Sequence, residues 1–275
     1  TEHDPHSVRL LKDFGMLGIR FSDEDIARAI RGYYGSISYI DTLVARVLKA
    51  LESTGAADNS VIVFTSDHGE MLGERGMWFK KHFFEKSMHV PLFITAPWIA
   101  PQRVSEFASL VDLLPTFSGI AHAPEPVDTL EGVDLLTLLD RGNPAPDRAI
   151  HAEYLAESTP VPIFMIRKGR FKFVSSSVDG VMLFDLEADP DELTNLACSP
   201  DHADILQEFT EAAARKWDEG HLTRRIMQSQ KRRRLVRDAM TIGERQLWNH
   251  NERPGDNVIW YRGEQGYNEW AFEYL

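Results

Sequence analysis

One cysteine in 275 residues excludes an internal disulfide framework, because a lone thiol has no partner within the chain. A reducing cytoplasm is the expected compartment, with a periplasm still compatible, since proteins there can also lack disulfides. No apolar run approaches the roughly 20 residues that a membrane-spanning helix needs. Positive charge is scarce: 30 Lys and Arg against 42 Asp and Glu leave a formal net charge of −12. That balance argues against nucleic acid or an anionic membrane surface as a partner. No internal repeat, low-complexity tract or signal peptide is recognisable. The chain opens at Thr1 without a methionine, and we expect it to be a piece of a longer protein.

What is present suits a globular fold, with 43% hydrophobic and 26% charged residues, enough for a sizeable core and two lobes. The most informative stretch is VIVFTSDHGEMLGERGMWFK, residues 61–80. A β-branched apolar run ends at Thr65 and reads as a buried parallel strand. It delivers Asp67 and His68 at its carboxyl end, the edge where open α/β sheets place their ligands. Together the two offer a hard oxygen and a nitrogen to a divalent cation. Gly69 permits a sharp turn, and Lys80 follows on a segment able to fold back as a fixed positive charge. The same dipeptide is also compatible with a plain turn beside a surface histidine.

Around this stretch the elements read as follows. Ser22 is a candidate N-cap, with Asp23, Glu24 and Asp25 at the positive end of a helix whose apolar residues recur at helical spacing to Gly55. Val90 to Thr95 reads as a further strand, and Ser109 to Ser118 as a short helix that meets Pro115. Asp140 to Asp147, with Gly142, Pro144 and Pro146, is the candidate junction between subdomains. Beyond it Ala149–Tyr154, Phe164–Arg167, Phe171–Val174 and Met182–Asp185 read as short antiparallel strands, with turns at Gly169 and Asp179-Gly180. Two helices follow, Asp201–Trp217 and His221–Met240. The basic run Lys231–Arg234 lies in the second and reads as a solvated helix face or a source of intersubunit ion pairs.

The string S-D-H-G-E-x-L-G-E-x-G-x-W-x-K, with KSMHVPLFITAP, SLVDLLPT and LFDLEADPDELTNLA after it, resembles the sulfatase branch of the alkaline-phosphatase-like superfamily over residues 1–247. The ending is most similar to choline-sulfatase-type members. The implied fold is an α/β sandwich with a central mixed sheet flanked by helices, plus a small antiparallel sheet and helices. Residues 1–147 would be the later part of the catalytic domain, 148–247 a smaller subdomain and 248–275 a tail. The resemblance implies that Asp67 and His68 ligate a divalent metal, usually Ca2+, with Mn2+ or Mg2+ as alternatives. Lys80 matches the family lysine that contacts sulfate oxygens and the departing alkoxide.

The family nucleophile is a formylglycine made from cysteine in a C-x-P-x-R motif. Here Cys198-Ser199-Pro200-Asp201-His202 lacks the arginine and follows the metal loop instead of preceding it, so Cys198 reads as a bystander. The nucleophile and the first metal carboxylates are therefore expected upstream of Thr1, and this stretch alone is expected to be inactive. For a sulfate ester such as choline sulfate, Glu157 and Glu153, leaving the strand at 149–154, are candidates to face the quaternary ammonium. Trp78 is a candidate to line the pocket or to pack in the core. The tail holds Trp248, Trp260, Tyr261, Tyr267, Trp270, Phe272 and Tyr274, aromatic surface that folds back on its own subunit or docks on a neighbour; the resemblance implies contacts in a homo-oligomer. A phosphonate monoester or phosphodiester hydrolase, or a non-catalytic binding protein on the same fold, are the alternatives.

Overall fold

The computed structural model describes residues 3–123, 128–139 and 148–242, and the chain divides into two units at Glu219 and Gly220. The expected junction at 140–147 and the aromatic tail at 248–275 lie outside the described residues.

Helix α1 (Pro5–Asp13) starts where the Asp4 carboxylate accepts from the Ser7 amide, and Pro5 sits in the first turn, where its missing N–H costs nothing. Helix α2 (Asp23–Ser53) begins as expected, with the Ser22 hydroxyl accepting from the Asp25 amide and three acidic residues in the first turn. None of its residues is buried. Tyr33, Ile37, Ile40, Val47 and Leu48 of its apolar stripe stay exposed, so the described residues leave that face uncovered.

Strand β1 (Ile62–Thr65), the hairpin of β2 (Met71–Leu72) and β3 (Trp78–Phe79), the short helix α3 (Glu85–Met88) and strand β4 (Leu92–Thr95) follow. Here the expectation of a buried parallel strand is corrected. Among the described residues β1 pairs with β4 antiparallel, Ile62 opposite Thr95 and Thr65 opposite Leu92, and Phe64 and Phe93 are exposed. A hairpin and a single helical turn connect these strands instead of the long crossover helix that a parallel pair requires. Helix α4 (Leu113–Ile120) carries Pro115 in its first turn, where proline is tolerated. The buried Asp112 before it is paired with Arg148 at 2.5 Å.

Strands β5 (Ala149–Tyr154), β6 (Ile163–Lys168), β7 (Phe171–Ser176) and β8 (Gly180–Asp185) form the expected antiparallel meander in that order. Alternation divides its side chains between two faces. Ile166, Phe173 and Leu183 meet Phe209 of helix α5 (Ala203–Lys216) on one face. Met165 and Val174 pack against Phe83 on the other, where Phe184 joins Phe84, Met71, Met77, Leu10 and Leu11. The small sheet thus carries the loop after β3 and the hairpin on the face opposite α5. Helix α6 (Glu219–Met240) exposes every residue from Lys231 to Met240, the basic run included.

Candidate functional site

The loop after β1 is held by its own polar groups. Ser66 Oγ donates to the His68 carbonyl at 2.9 Å, and the His68 amide donates to Asp67 Oδ1 at 3.0 Å. His68 Nδ1 lies 2.8 Å from the Gly69 carbonyl, and its Nε2 lies 3.3 Å from Asp67 Oδ2. A carbonyl accepts only, so Nδ1 carries a proton and donates it to Gly69, which leaves Nε2 facing the carboxylate. Asp67 is exposed; what burial it has works against ionisation, but the neighbouring His68 and its amide outweigh it and hold the carboxyl below the usual range.

Gly69 is required for closeness, not for the sharp turn anticipated. A Cβ there would lie 2.1 Å from the Lys86 carbonyl oxygen. The amides of Gly69 and Glu70 donate to the carbonyls of Ser87 and Lys86, each at 2.8 Å. The loop after β1 is thereby stitched to α3.

The hairpin supplies the cation. Met71 opposes Phe79 and Leu72 opposes Trp78, and one step further along that register Glu70 faces Lys80. Burial pushes the Glu70 carboxyl up, against the pull of Lys80 and His68, so this carboxylate lies within electrostatic reach of both. Lys80 itself is exposed. Asp67, His68, Glu70 and Lys80 are thus gathered around one loop and one hairpin. Glu70 was missed from sequence, although the hairpin register was the signal that pointed to it.

The other candidates separate. Glu157 pairs instead with Lys81, the neighbour of Lys80 in sequence: its Oε1 is 3.3 Å from Lys81 Nζ, and Tyr154 Oη donates to its carbonyl at 3.0 Å. None of these contacts reaches Asp67, His68 or Lys80. Glu153 points to the α5 face of the sheet and accepts from Trp217 Nε1 at 2.6 Å. Trp78 packs on the core beside Met71 and Met77, with its ring edge-to-face on Phe21 at 5.8 Å. Lys81 is more sequestered than the neighbouring Lys80, over the Phe14 ring at 4.2 Å. A partly open cavity lined by His6, His82, Phe84, Val174 and Glu192 lies on the sheet side, and Asp67, His68 and Lys80 are not among its lining residues. Cys198 is exposed and free.

Residues 4–123 match the family model described as Sulfatase, and residues 73–218 match N-sulphoglucosamine sulphohydrolase, C-terminal. The chain belongs to the sulfatase family. This sulfatase chain is 38% identical over 258 residues to choline-sulfatase of Rhizobium meliloti (strain 1021), covering 90% of this chain and 49% of that protein. It is 35% identical to arylsulfatase K of Gallus gallus, over 64% of this chain and 35% of the relative. The chain therefore spans half or less of the length of these relatives. The phosphonate monoester hydrolase of Agrobacterium radiobacter superposes with a TM-score of 0.65 at 30% identity, over 77% of this chain and 49% of that one. BT4656 in complex with its substrate D-glucosamine-2-N,6-O-disulfate superposes with a TM-score of 0.64 at 25% identity, over 75% and 44%. The fold is that of the alkaline-phosphatase-like sulfatases.

A divalent cation of the kind this family uses fits the Asp67–His68 pair. A metal-bound histidine donates its other ring N–H to a carbonyl or carboxylate, as His68 does to Gly69. Hard cations such as Ca2+ take six to eight ligands, so the pair makes part of a site. Among the described residues no group of three or more His, Cys, Asp or Glu side chains is arranged to hold a metal ion. No helix among them is long and apolar enough to cross a membrane.

Proposed function

We propose that this sulfatase chain is the later half of a metal-dependent sulfuric-ester hydrolase acting on choline sulfate. Asp67 and His68 are two ligands of its divalent cation, Ca2+ foremost and Mn2+ or Mg2+ as alternatives, and Lys80 is the sulfate-contacting residue. The observation that carries this reading is the convergence of Asp67 Oδ2 and His68 Nε2, 3.3 Å apart, with the ring held by its Nδ1 on the Gly69 carbonyl. One hard oxygen and one imidazole nitrogen presented side by side suit a divalent cation. Hydrolysis of R–O–SO3− by water gives an alcohol and hydrogen sulfate, and its barrier falls when positive charge meets the oxygens where negative charge gathers. A bound cation polarises the sulfuryl oxygens in that way. Lys80 offers an exposed ammonium at the end of the hairpin, within electrostatic reach of Glu70.

The formylglycine nucleophile and the remaining carboxylates belong to the part of the protein outside this chain. Glu157, exposed and ionised beside Lys81, is our candidate to face the quaternary ammonium; Glu153 and Trp78 are engaged elsewhere. The identity with choline-sulfatase supports this substrate. A homo-oligomer made through residues 248–275, a subdomain junction at 140–147 and a cytoplasmic setting belong to the same proposal.

The likeness to a phosphonate monoester hydrolase favours a second reading, hydrolysis of a phosphonate monoester or phosphodiester by the same groups. Side-by-side turnover by the full-length protein decides between them. Release of sulfate from choline sulfate should outpace cleavage of a phosphodiester. The opposite preference rejects the choline sulfate assignment, and no turnover of either points to the non-catalytic alternative.

A further inference from the structure

A lysine on the inner face of a small sheet is unusual, since lysines are almost never fully buried without a partner. Lys172 on β7 is 1% exposed, on the same face as Val174. Its ammonium reaches Glu192 Oε1 at 2.9 Å, Glu85 Oε1 at 2.6 Å and the Phe83 carbonyl at 2.7 Å, so all three of its protons are used. Glu192, 2% exposed, sends its second carboxylate oxygen to the Glu85 amide at 2.6 Å. The Glu192 carbonyl accepts from Arg75, whose guanidinium lies 4.4 Å from the centre of the Phe84 ring. Glu192 also stands at φ +55, a left-handed conformation that a side-chain-bearing residue adopts only when its surroundings enforce it.

Apart from the Lys172–Glu192 pair itself, each of these bonds ends on the stretch Arg75–Glu85, which leads into α3. The next two residues, Lys86 and Ser87, are those whose carbonyls receive the amides of Glu70 and Gly69. A continuous chain of contacts thus runs from the sheet through Lys172 and Glu192 to Glu85, then to Gly69 and to Asp67 and His68. An apolar pair would fill the same volume, often at no loss of stability. It could not hold the Glu85 amide, the Phe83 carbonyl and the Glu85 carboxylate in one geometry.

We propose that Lys172 and Glu192 are positioning residues for the Asp67–His68 loop, acting through Glu85 and never touching substrate. The proposal rests on the reading of that loop as a cation site, and its test separates the two. Glu192→Gln keeps the side chain's shape and an acceptor for the Glu85 amide but loses the charge that Lys172 requires. In the full-length protein, hydrogen exchange at the Gly69 and Glu70 amides should speed up about tenfold or more. The β6–β7 ladder around Ile166 and Val174 should be unchanged within about threefold. The Ca2+ concentration giving half-maximal choline sulfate turnover should rise about tenfold, with kcat restored at saturating Ca2+.

Unchanged exchange at Gly69 and Glu70, or an equal gain throughout the ladder, overturns the proposal. So does an unchanged cation requirement in a protein that Asp67→Ala inactivates. If Asp67→Ala keeps full turnover, the reading of the loop fails instead, and exchange alone decides the positioning. Should Glu192→Gln not fold, Glu85→Gln severs the same link from its 30% exposed end and must give the same selective gain in exchange. Without that gain the proposal falls.

Discussion

His68 turns its Nε2 to within 3.3 Å of Asp67 Oδ2 while Nδ1 is tied to the Gly69 carbonyl at 2.8 Å. The tie fixes both the ring's orientation and the nitrogen left to ligate. Asp67→Ala and His68→Ala should each lower choline sulfate turnover by the full-length protein at least about a hundredfold, on the order of 3 kcal/mol of transition-state stabilisation. Metal analysis of the purified variants should show less bound cation. Wild-type turnover in either variant would remove that residue from the site.

Two adjacent lysines make a sharper test. Lys80 is exposed opposite Glu70, whereas Lys81 is paired with Glu157 at 3.3 Å and lies over the Phe14 ring. Lys80→Ala should cost about a hundredfold in turnover. Lys81→Met keeps the aliphatic stem that packs on Phe14 and should stay within about threefold, with the partly exposed ion pair contributing at most about 1 kcal/mol to stability. Equal losses at the two positions would mean that the assignment of Lys80 is wrong.

Much of the fold was legible because its signals are local. Ser22, three acidic residues and apolar residues at helical spacing announce α2; alternation broken by Gly169 and Gly180 announces the meander, where both glycines take positive φ. Strand direction was not legible, since an apolar run such as Ile62–Thr65 has the same composition in either orientation. Glu70 emerged only with the hairpin register. Lys172 reads in sequence as an exposed position of an alternating strand, and only the arrival of Glu85 and Glu192 from 87 residues before and 20 after makes its burial possible. The position of Glu153 on the α5 face was readable in principle, because Tyr154, one residue on, must point the other way.

The face of the sheet toward α5 gives a prediction about stability. Leu183 is fully buried in a cluster with Ile166, Phe173 and Phe209, and the Phe173 and Phe209 rings stack with centroids 5.7 Å apart. Leu183→Ala should cost about 2–5 kcal/mol, the transfer free energy of the lost atoms plus that of the cavity left behind. Urea unfolding monitored by Trp217 fluorescence would read it. A loss below about 1 kcal/mol would mean that α5 collapses onto the gap, and that this face is not the tightly packed core described.

The last prediction concerns acid. His82 is 6% exposed, stacked on Phe84 at 5.0 Å and edge-on to His6 at the same distance. Burial is the main cause that lowers its pKa from 6.5 to about 3; His6, Arg75 and His3 push the same way and Asp4 opposes them. As pH falls from 7 to 5, the unfolded chain takes up a proton at this imidazole while the folded protein does not. Stability contributed by the neutral ring is therefore lost as pH falls, with a slope approaching about 1.4 kcal/mol per pH unit below 6.5. Burial works against ionisation of Asp4, yet its carboxyl is held below the usual range, the hydrogen bonds from Ser7 foremost, so its contribution is lost only at still lower pH. Between pH 7 and 5 the wild type should lose on the order of 2 kcal/mol more than His82→Phe, which keeps a ring against Phe84 but cannot titrate. Urea midpoints at the two pH values measure this difference. Equal losses in the two proteins would show that His82 takes up its proton in the folded state, and that the pocket around Phe84 admits the charge.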